Sequence, residues 1–258
     1  MEILNKKPNA LKINPTIIFL SFLVFSIGPV LAQTKTFSVN SFDKIIVSPH
    51  IQVDFIQADK ESIVINDISV SIEKLNVEVS GKTLEVYLDD AKMTTKNETE
   101  KNNDHKVKRP IYNGTIVKAT IYYKNLNELS LRGEEKFICK SLLNSEKFKL
   151  RIYGEAEVSL NEVKLNTLST IIYGESILEI KKGTIDHQKI TAYGESEINA
   201  LDVETESVKI TLYGESDINL NVTKNLKITS YGEATIKYTG NPKINKGIVI
   251  GETTIEKI

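Results

Sequence analysis

The chain carries one cysteine, Cys139, and no tryptophan in its 258 residues. A single cysteine excludes an internal disulfide and any cysteine-based metal cluster. Histidine is limited to His50, His105 and His187, which lie far apart in the sequence. No Gly-x-Ser-x-Gly, His-Glu-x-x-His or phosphate-loop motif occurs, so the usual nucleophile, zinc and nucleotide chemistries have no signature here. The net charge is -1, which lacks the basic field that nucleic-acid binding requires. No catalytic residue, metal ligand or cofactor is assigned, and the chain is expected not to be an enzyme. There are only 6 prolines, and Ile, Val, Thr and Tyr are plentiful, which favours strands over helices.

One long apolar run is present, from Ile17 to Ile27, and it is shorter than the ~20 residues of a spanning helix. Lys6, Lys7 and Lys12 precede it, and Val30-Leu31-Ala32 offers a small-residue cleavage site. Residues 1–32 therefore read as an export signal, with an uncleaved membrane anchor as the alternative. No cysteine follows the run to take a lipid. The expected location is the periplasm, the outer surface or the extracellular space. A mature chain from residue 33 would keep 30 basic and 33 acidic residues. It would be near neutral.

Between Phe37 and Leu88 the pattern is of short strands. His50-Ile51-Gln52-Val53-Asp54-Phe55 alternates apolar with polar, and Ser80-Gly81-Lys82 joins two such runs as a hairpin turn. Residues 89–110 are rich in Lys, Asn, Glu and Thr and nearly devoid of large apolar side chains, which predicts a mobile surface loop. Residues 33–124 thus form a less regular beginning to a single domain that runs over 33–258.

From residue 125 onward the phrase Tyr-Gly-Glu dominates. It occurs at Tyr153-Gly154-Glu155, Tyr173-Gly174-Glu175, Tyr193-Gly194-Glu195, Tyr213-Gly214-Glu215 and Tyr231-Gly232-Glu233. Arg132-Gly133-Glu134 and Ile250-Gly251-Glu252 are degenerate flanking copies. Successive glycines lie 21, 20, 20, 20, 18 and 19 residues apart, the period of a solenoid with coils of about 20 residues.

Registering the coils on their glycines gives apolar columns. Four residues after each glycine stand Phe137, Val158, Leu178, Ile198, Ile218, Ile236 and Ile255; two before stand Leu131, Ile152, Ile172, Ala192, Leu212, Ser230 and Val249. Columns also fall four before (Leu129 to Gly247) and six after, where Cys139 occupies an inward position as a buried structural thiol. Inward positions two apart are what strand pleating demands. Each coil then contributes at least two strands to a shared core.

Tyrosine and glutamate have their own meanings. By parity Tyr153, Tyr173, Tyr193, Tyr213 and Tyr231 face outward as a ladder with rungs about 4.8 Å apart. Their roles are stacking between coils, an exposed strip that binds sugars, peptides or another surface, or both. Glu155, Glu175, Glu195, Glu215 and Glu233 stack like charges, which costs ~1 kcal/mol per neighbour before salt screening. They either cap backbone N–H groups and splay into solvent, or meet a cation or a basic partner. The Gly-Gly-x-Gly-x-Asp calcium repeat is absent, so no metal is assigned.

Phe42-Asp43-Lys44-Ile45-Ile46-Val47, Val53-Asp54-Phe55-Ile56-Gln57, Asn125-Leu126-Asn127-Glu128-Leu129-Ser130-Leu131, the Leu-x-Gly-x-x-x-Ile coils and Tyr238-Thr239-Gly240-Asn241-Pro242-Lys243-Ile244 resemble the putative auto-transporter adhesin head GIN domain family over about residues 38–256. That family's coils usually carry Ser-Gly-Ser-Gly-Asp, and this chain has Tyr-Gly-Glu-Ser-Asp from Tyr213 to Asp217. The resemblance implies an all-β, right-handed parallel β-helix in an exported bacterial protein, and the hand agrees with the general crossover preference. It implies no catalytic residues. The expected function is surface binding or adhesion through the Tyr/Glu ladder, with a glycan or a cell-surface protein as partner. A purely structural envelope module and a polysaccharide-active enzyme are the alternatives. Membrane contact is expected only through an uncleaved signal segment, and the oligomeric state is left open.

Overall fold

A computed structural model describes residues 34–102 and 105–258. The expected signal segment, residues 1–32, lies outside the described residues. Strand accounts for 75% of the structure, arranged as parallel coils of about 20 residues in a β-solenoid of about six turns. No described helix is long and apolar enough to cross a membrane.

The N-terminal strands are β1 (Lys35–Ser38), β2 (Lys44–Val47), β3 (Ile51–Gln57), β4 (Ser62–Ile68), β5 (Leu75–Ser80) and β6 (Thr83–Leu88). After them come β7 (Asn97–Asn102), β8 (His105–Pro110), β9 (Val117–Tyr123) and β10 (Glu128–Gly133). The regular coils are β11 (Lys136–Gly154), β12 (Glu157–Tyr173), β13 (Ser176–Ile180), β14 (Gly183–Tyr193) and β15 (Ser196–Thr239), closed by β16 (Lys243–Ile250) and β17 (Thr253–Lys257). β2 and β3 are already solenoid strands, since β2 pairs in parallel with β10 and β3 with β11. Antiparallel strands cover this end of the stack: β5 on β6, β4 on β9 and β1 on β4.

Through the regular coils the columns run as the periodicity predicts, but Val249, registered with them in the last coil, is exposed. Phe137, Leu178, Ile198 and Ile236 are fully buried, as are Leu131, Ile152, Ile172 and Leu212. A third wall appears in each coil, where Leu142–Ser145 pairs with Glu162–Leu165 and Val163–Leu165 with Gly183–Ile185. Leu143, Val163, Leu165, Ile185 and Val203 are its buried side chains. Each coil therefore buries apolar residues from three directions, and none could do so alone. Cys139 is buried in this core, and burial pushes its thiol pKa up.

The glycine column holds the tightest approach. Gly174 has φ +115, and a Cβ there would lie 2.4 Å from the carbonyl oxygen of Gly154 one coil earlier. The backbone turn needs positive φ, and the rise between coils leaves no room for a methyl group.

Two expectations are corrected. The polar segment within 89–110 is not structureless, because β7 and β8 pair antiparallel as a two-stranded hairpin. Its backbone groups satisfy each other, and Val107, a described apolar side chain on it, is exposed. Its approach is tied down, with Ala91 buried and Lys96 N–H donating to the Asp90 carbonyl at 2.9 Å. The last coil also departs from a simple register. Ile228 pairs with Lys246 and Ser230 with Val249, so a bulge adds one residue and Gly247 does not continue the column four before the glycine.

Candidate functional site

The Tyr-Gly-Glu phrases form one continuous edge. Tyr153, Tyr173, Tyr193 and Tyr213 are aligned in register on neighbouring coils. Successive ring centroids are 5.3, 4.8, 4.8 and 5.0 Å apart from Tyr153 to Tyr231, with interplanar angles of 3 to 6°. The rings stack face to face along the solenoid axis. Tyr173, Tyr193 and Tyr213 remain 42%, 37% and 39% exposed, while Tyr153 and Tyr231 are half-buried.

This geometry decides what the ladder offers. Each inner ring has a neighbour on both faces, so its exposed part is the ring edge and the hydroxyl. A sugar cannot lie flat on an inner rung. The phenol hydroxyls have no hydrogen-bond partner within the protein among the described residues. Each stacked pair contributes ~0.5–1.5 kcal/mol beyond area burial, so the ladder is also structural.

Glu155, Glu175, Glu195, Glu215 and Glu233 are all exposed beside it. Among the described residues none of these carboxylates takes part in an ion pair or an internal hydrogen bond. They splay into solvent rather than capping the turn. Ion pairs do form elsewhere: Arg151 and Lys149 both meet Glu128, and Lys136 meets Glu157 at 3.1 Å. A shallow groove follows the acidic edge, lined by Glu175, Glu195, Glu215 and Asp217. No group of three His, Cys, Asp or Glu among the described residues is spaced to hold a metal.

A residue that the periodicity left unregistered stands at the head of this edge. The position two after the glycine points inward and holds Ala156, Ser176, Ser196, Ser216 and Ala234, all buried. The Ser176 hydroxyl donates to the Gly154 carbonyl at 2.8 Å, and the Ser196 and Ser216 hydroxyls lie 3.1 Å apart. In the first coil this position is Glu135, only 4% exposed. Desolvation raises its carboxyl pKa to about 7, against the opposing N–H donation from Glu134 and His50. Registering this column in the sequence, where one long acid interrupts small residues, is the signal that would have found it.

Glu135 borders a cleft of about 530 Å³ at the start of the ladder. Arg132 occupies the rung above Tyr153, with its guanidinium 5.8 Å from the ring centroid. One wall is the Pro49–His50 turn, where His50 has φ 69. The His50 ring is held on both sides, with Nδ1 2.7 Å from the Gly114 carbonyl and Nε2 2.5 Å from Thr95 Oγ1.

Comparison with known proteins agrees with this architecture. No curated protein matches the chain. The solved structure of a putative adhesin from Bacteroides fragilis is similar, with TM-score 0.70 and 22% identity over 87% of this chain and 96% of that one. A putative adhesin from Parabacteroides merdae has TM-score 0.63 and 21% identity, covering 87% of this chain and 95% of that one. A protein from Parabacteroides distasonis described as a putative lipid binding protein also has TM-score 0.63 and 21% identity, covering 88% and 96%. At these identities the likeness speaks to the fold alone. The family model described as "Putative auto-transporter adhesin, head GIN domain" matches residues 41–242, and the chain belongs to that family.

Proposed function

We propose that this is an exported, non-catalytic, adhesin-like module that binds an extended saccharide chain along its Tyr/Glu edge. The observation that carries the reading is the row of unengaged polar groups. Phenol hydroxyls and carboxylates repeat at the coil spacing of about 4.8 Å and have no partner within the protein among the described residues. Such groups are free to donate to and accept from a hydroxyl-rich polymer lying across the rungs. Family membership supports the adhesin-like part of the reading. Catalysis has no comparable support, because the edge acids repeat from coil to coil where an active site breaks a repeat.

The test separates binding from folding. Changing Tyr173, Tyr193 and Tyr213 to Phe keeps the stacked rings and removes the hydroxyls. The mature protein is screened on a glycan and extracellular-matrix array, with and without Ca²⁺. Loss of binding in this triple variant at unchanged Tm supports the reading. Unchanged binding identifies the ladder as scaffolding and overturns it. If a matrix protein rather than a glycan is retained, the partner class is wrong.

A further inference from the structure

The ladder does not end in open solvent at its Arg132 end; it runs into the cleft described above. Tyr153 and Glu155 belong both to the first tyrosine rung and to the cleft lining. A volume of about 530 Å³ lies within the range of small-ligand sites.

Its lining is chemically mixed in a particular way. Pro49, Met93 and Tyr153 supply apolar surface, and Met93 is well exposed. Arg132 supplies donors: a guanidinium has five N–H groups, and among the described residues its one hydrogen bond is a long one, 3.5 Å from Nη1 to the Lys92 carbonyl. Glu155 supplies an acceptor carboxylate with no internal partner among the described residues, and exposed Glu134 adds a second. The walls are held in place, by the His50 ring contacts on one side and by the N–H donation to Glu135 on the other.

We propose that this cleft is a terminal-residue site, seating the end sugar of a neutral saccharide whose chain continues along the Tyr/Glu edge. The occupant's chemistry rests on the saccharide reading of that edge, while the site itself rests on the cleft. A neutral sugar ring presents adjacent hydroxyls that both donate and accept, together with an apolar C–H face. Arg132, the two carboxylates and the Pro49/Met93 surface complement those three features. An acidic sugar is disfavoured, because Glu134 and Glu155 outnumber Arg132. The cleft adds the Pro49/Met93 apolar surface to the polar groups of the edge, so a single sugar is held there and a polymer is held at both places. Glu135 stands behind the site in a column otherwise filled by Ala, Ser or Thr, as the one break in the repeat at that position.

The experiment uses methyl glycosides of glucose, galactose, mannose and N-acetylglucosamine, with methyl glucuronide as the charged comparison. Each is titrated into isotope-labelled mature protein and followed by amide chemical shifts. The expected result is that at least one neutral glycoside shifts Gly114, Gly133 and Gly154 and leaves Gly194 and Gly214 in place. Arg132→Ala and Glu155→Gln, each checked for an unchanged melting curve, should weaken that glycoside ~10-fold or more, the usual loss for a charged hydrogen-bond partner. Glu155 is exposed, so its variant keeps the test valid if Arg132→Ala fails to fold. No shift at the cleft from any neutral glycoside overturns the proposal, as does preference for the glucuronide or indifference to both substitutions. The two readings fail separately. Array binding that depends on the Tyr hydroxyls without glycoside shifts at the cleft sinks this site and leaves the edge. Glycoside binding at the cleft with array binding unaffected by the Tyr→Phe changes does the reverse.

Discussion

Glu135→Gln should flatten the pH dependence of stability. In the folded protein the Glu135 carboxyl is held to about 7, against an ordinary value of 4.5, by burial. Between those values the native state keeps a proton that the unfolded chain has released, so the native state binds more protons and stability falls as pH rises. The Glu135 contribution is fully favourable below the unfolded value and is lost as pH climbs through about 7. At ~1.4 kcal/mol per unit the loss reaches about 3 kcal/mol at pH 8. For a domain of this size that is roughly 6–12 °C in Tm. Melting curves from pH 4.5 to 8.5 by circular dichroism, for wild type and for Glu135→Gln, give the assay. Other titrating groups are common to both proteins, so the difference curve isolates Glu135. Glutamine offers one oxygen where the carboxylate offers two to the N–H groups of Glu134 and His50, so the variant carries a roughly constant offset. The slope is the readout. A difference curve flat across the range would show that Glu135 is not desolvated as described, and the reasoning would fail.

The remaining expectations concern the edge and the core. Gly174→Ala should cost ~3 kcal/mol or more, since it combines positive φ with a carbonyl 2.4 Å away. Gly81→Ala, at φ +60 in open space, should cost ~1 kcal/mol, and urea unfolding of the pair checks the contrast. Tyr193→Ser removes two stacked contacts and should cost ~1–3 kcal/mol, while Tyr193→Phe should stay within ~0.5 kcal/mol. Cys139 should be inert to a thiol reagent in the native protein and react once on denaturation, because its thiol is buried and its pKa raised.

The regular coils are legible in the sequence because one short-range rule, a glycine every twenty or so residues, aligns every column at once. The outward direction of the tyrosines follows from parity alone. The N-terminal strands obey no such period: Lys44 pairs with Glu128 on one side and Thr83 on the other, separations that no local pattern encodes. The β7–β8 hairpin leaves no period-two signal because it is held by backbone pairing rather than by apolar alternation. The Val249 bulge was hidden because a spacing of 19 looks like a shortened coil, not a slipped one. What the ladder presents to a ligand depends on ring planes, and composition says nothing about those. Glu135 was readable in principle, two residues beyond a glycine, in a column whose other members are small.

The glycine column makes the coils interchangeable only as whole units. Each glycine fills the space that a side chain on the next coil's glycine would need, so a coil cannot drift in length while its neighbours stand still. Removing residues 194–213, in contrast, would join Tyr193 to Gly214, restore a complete Tyr-Gly-Glu phrase and bring Tyr193 against the rung that Tyr213 now faces. The edge would be one rung, about 4.8 Å, shorter and otherwise unaltered. The fold is thus a ruler graduated in coils, and the reach of its edge is set by counting.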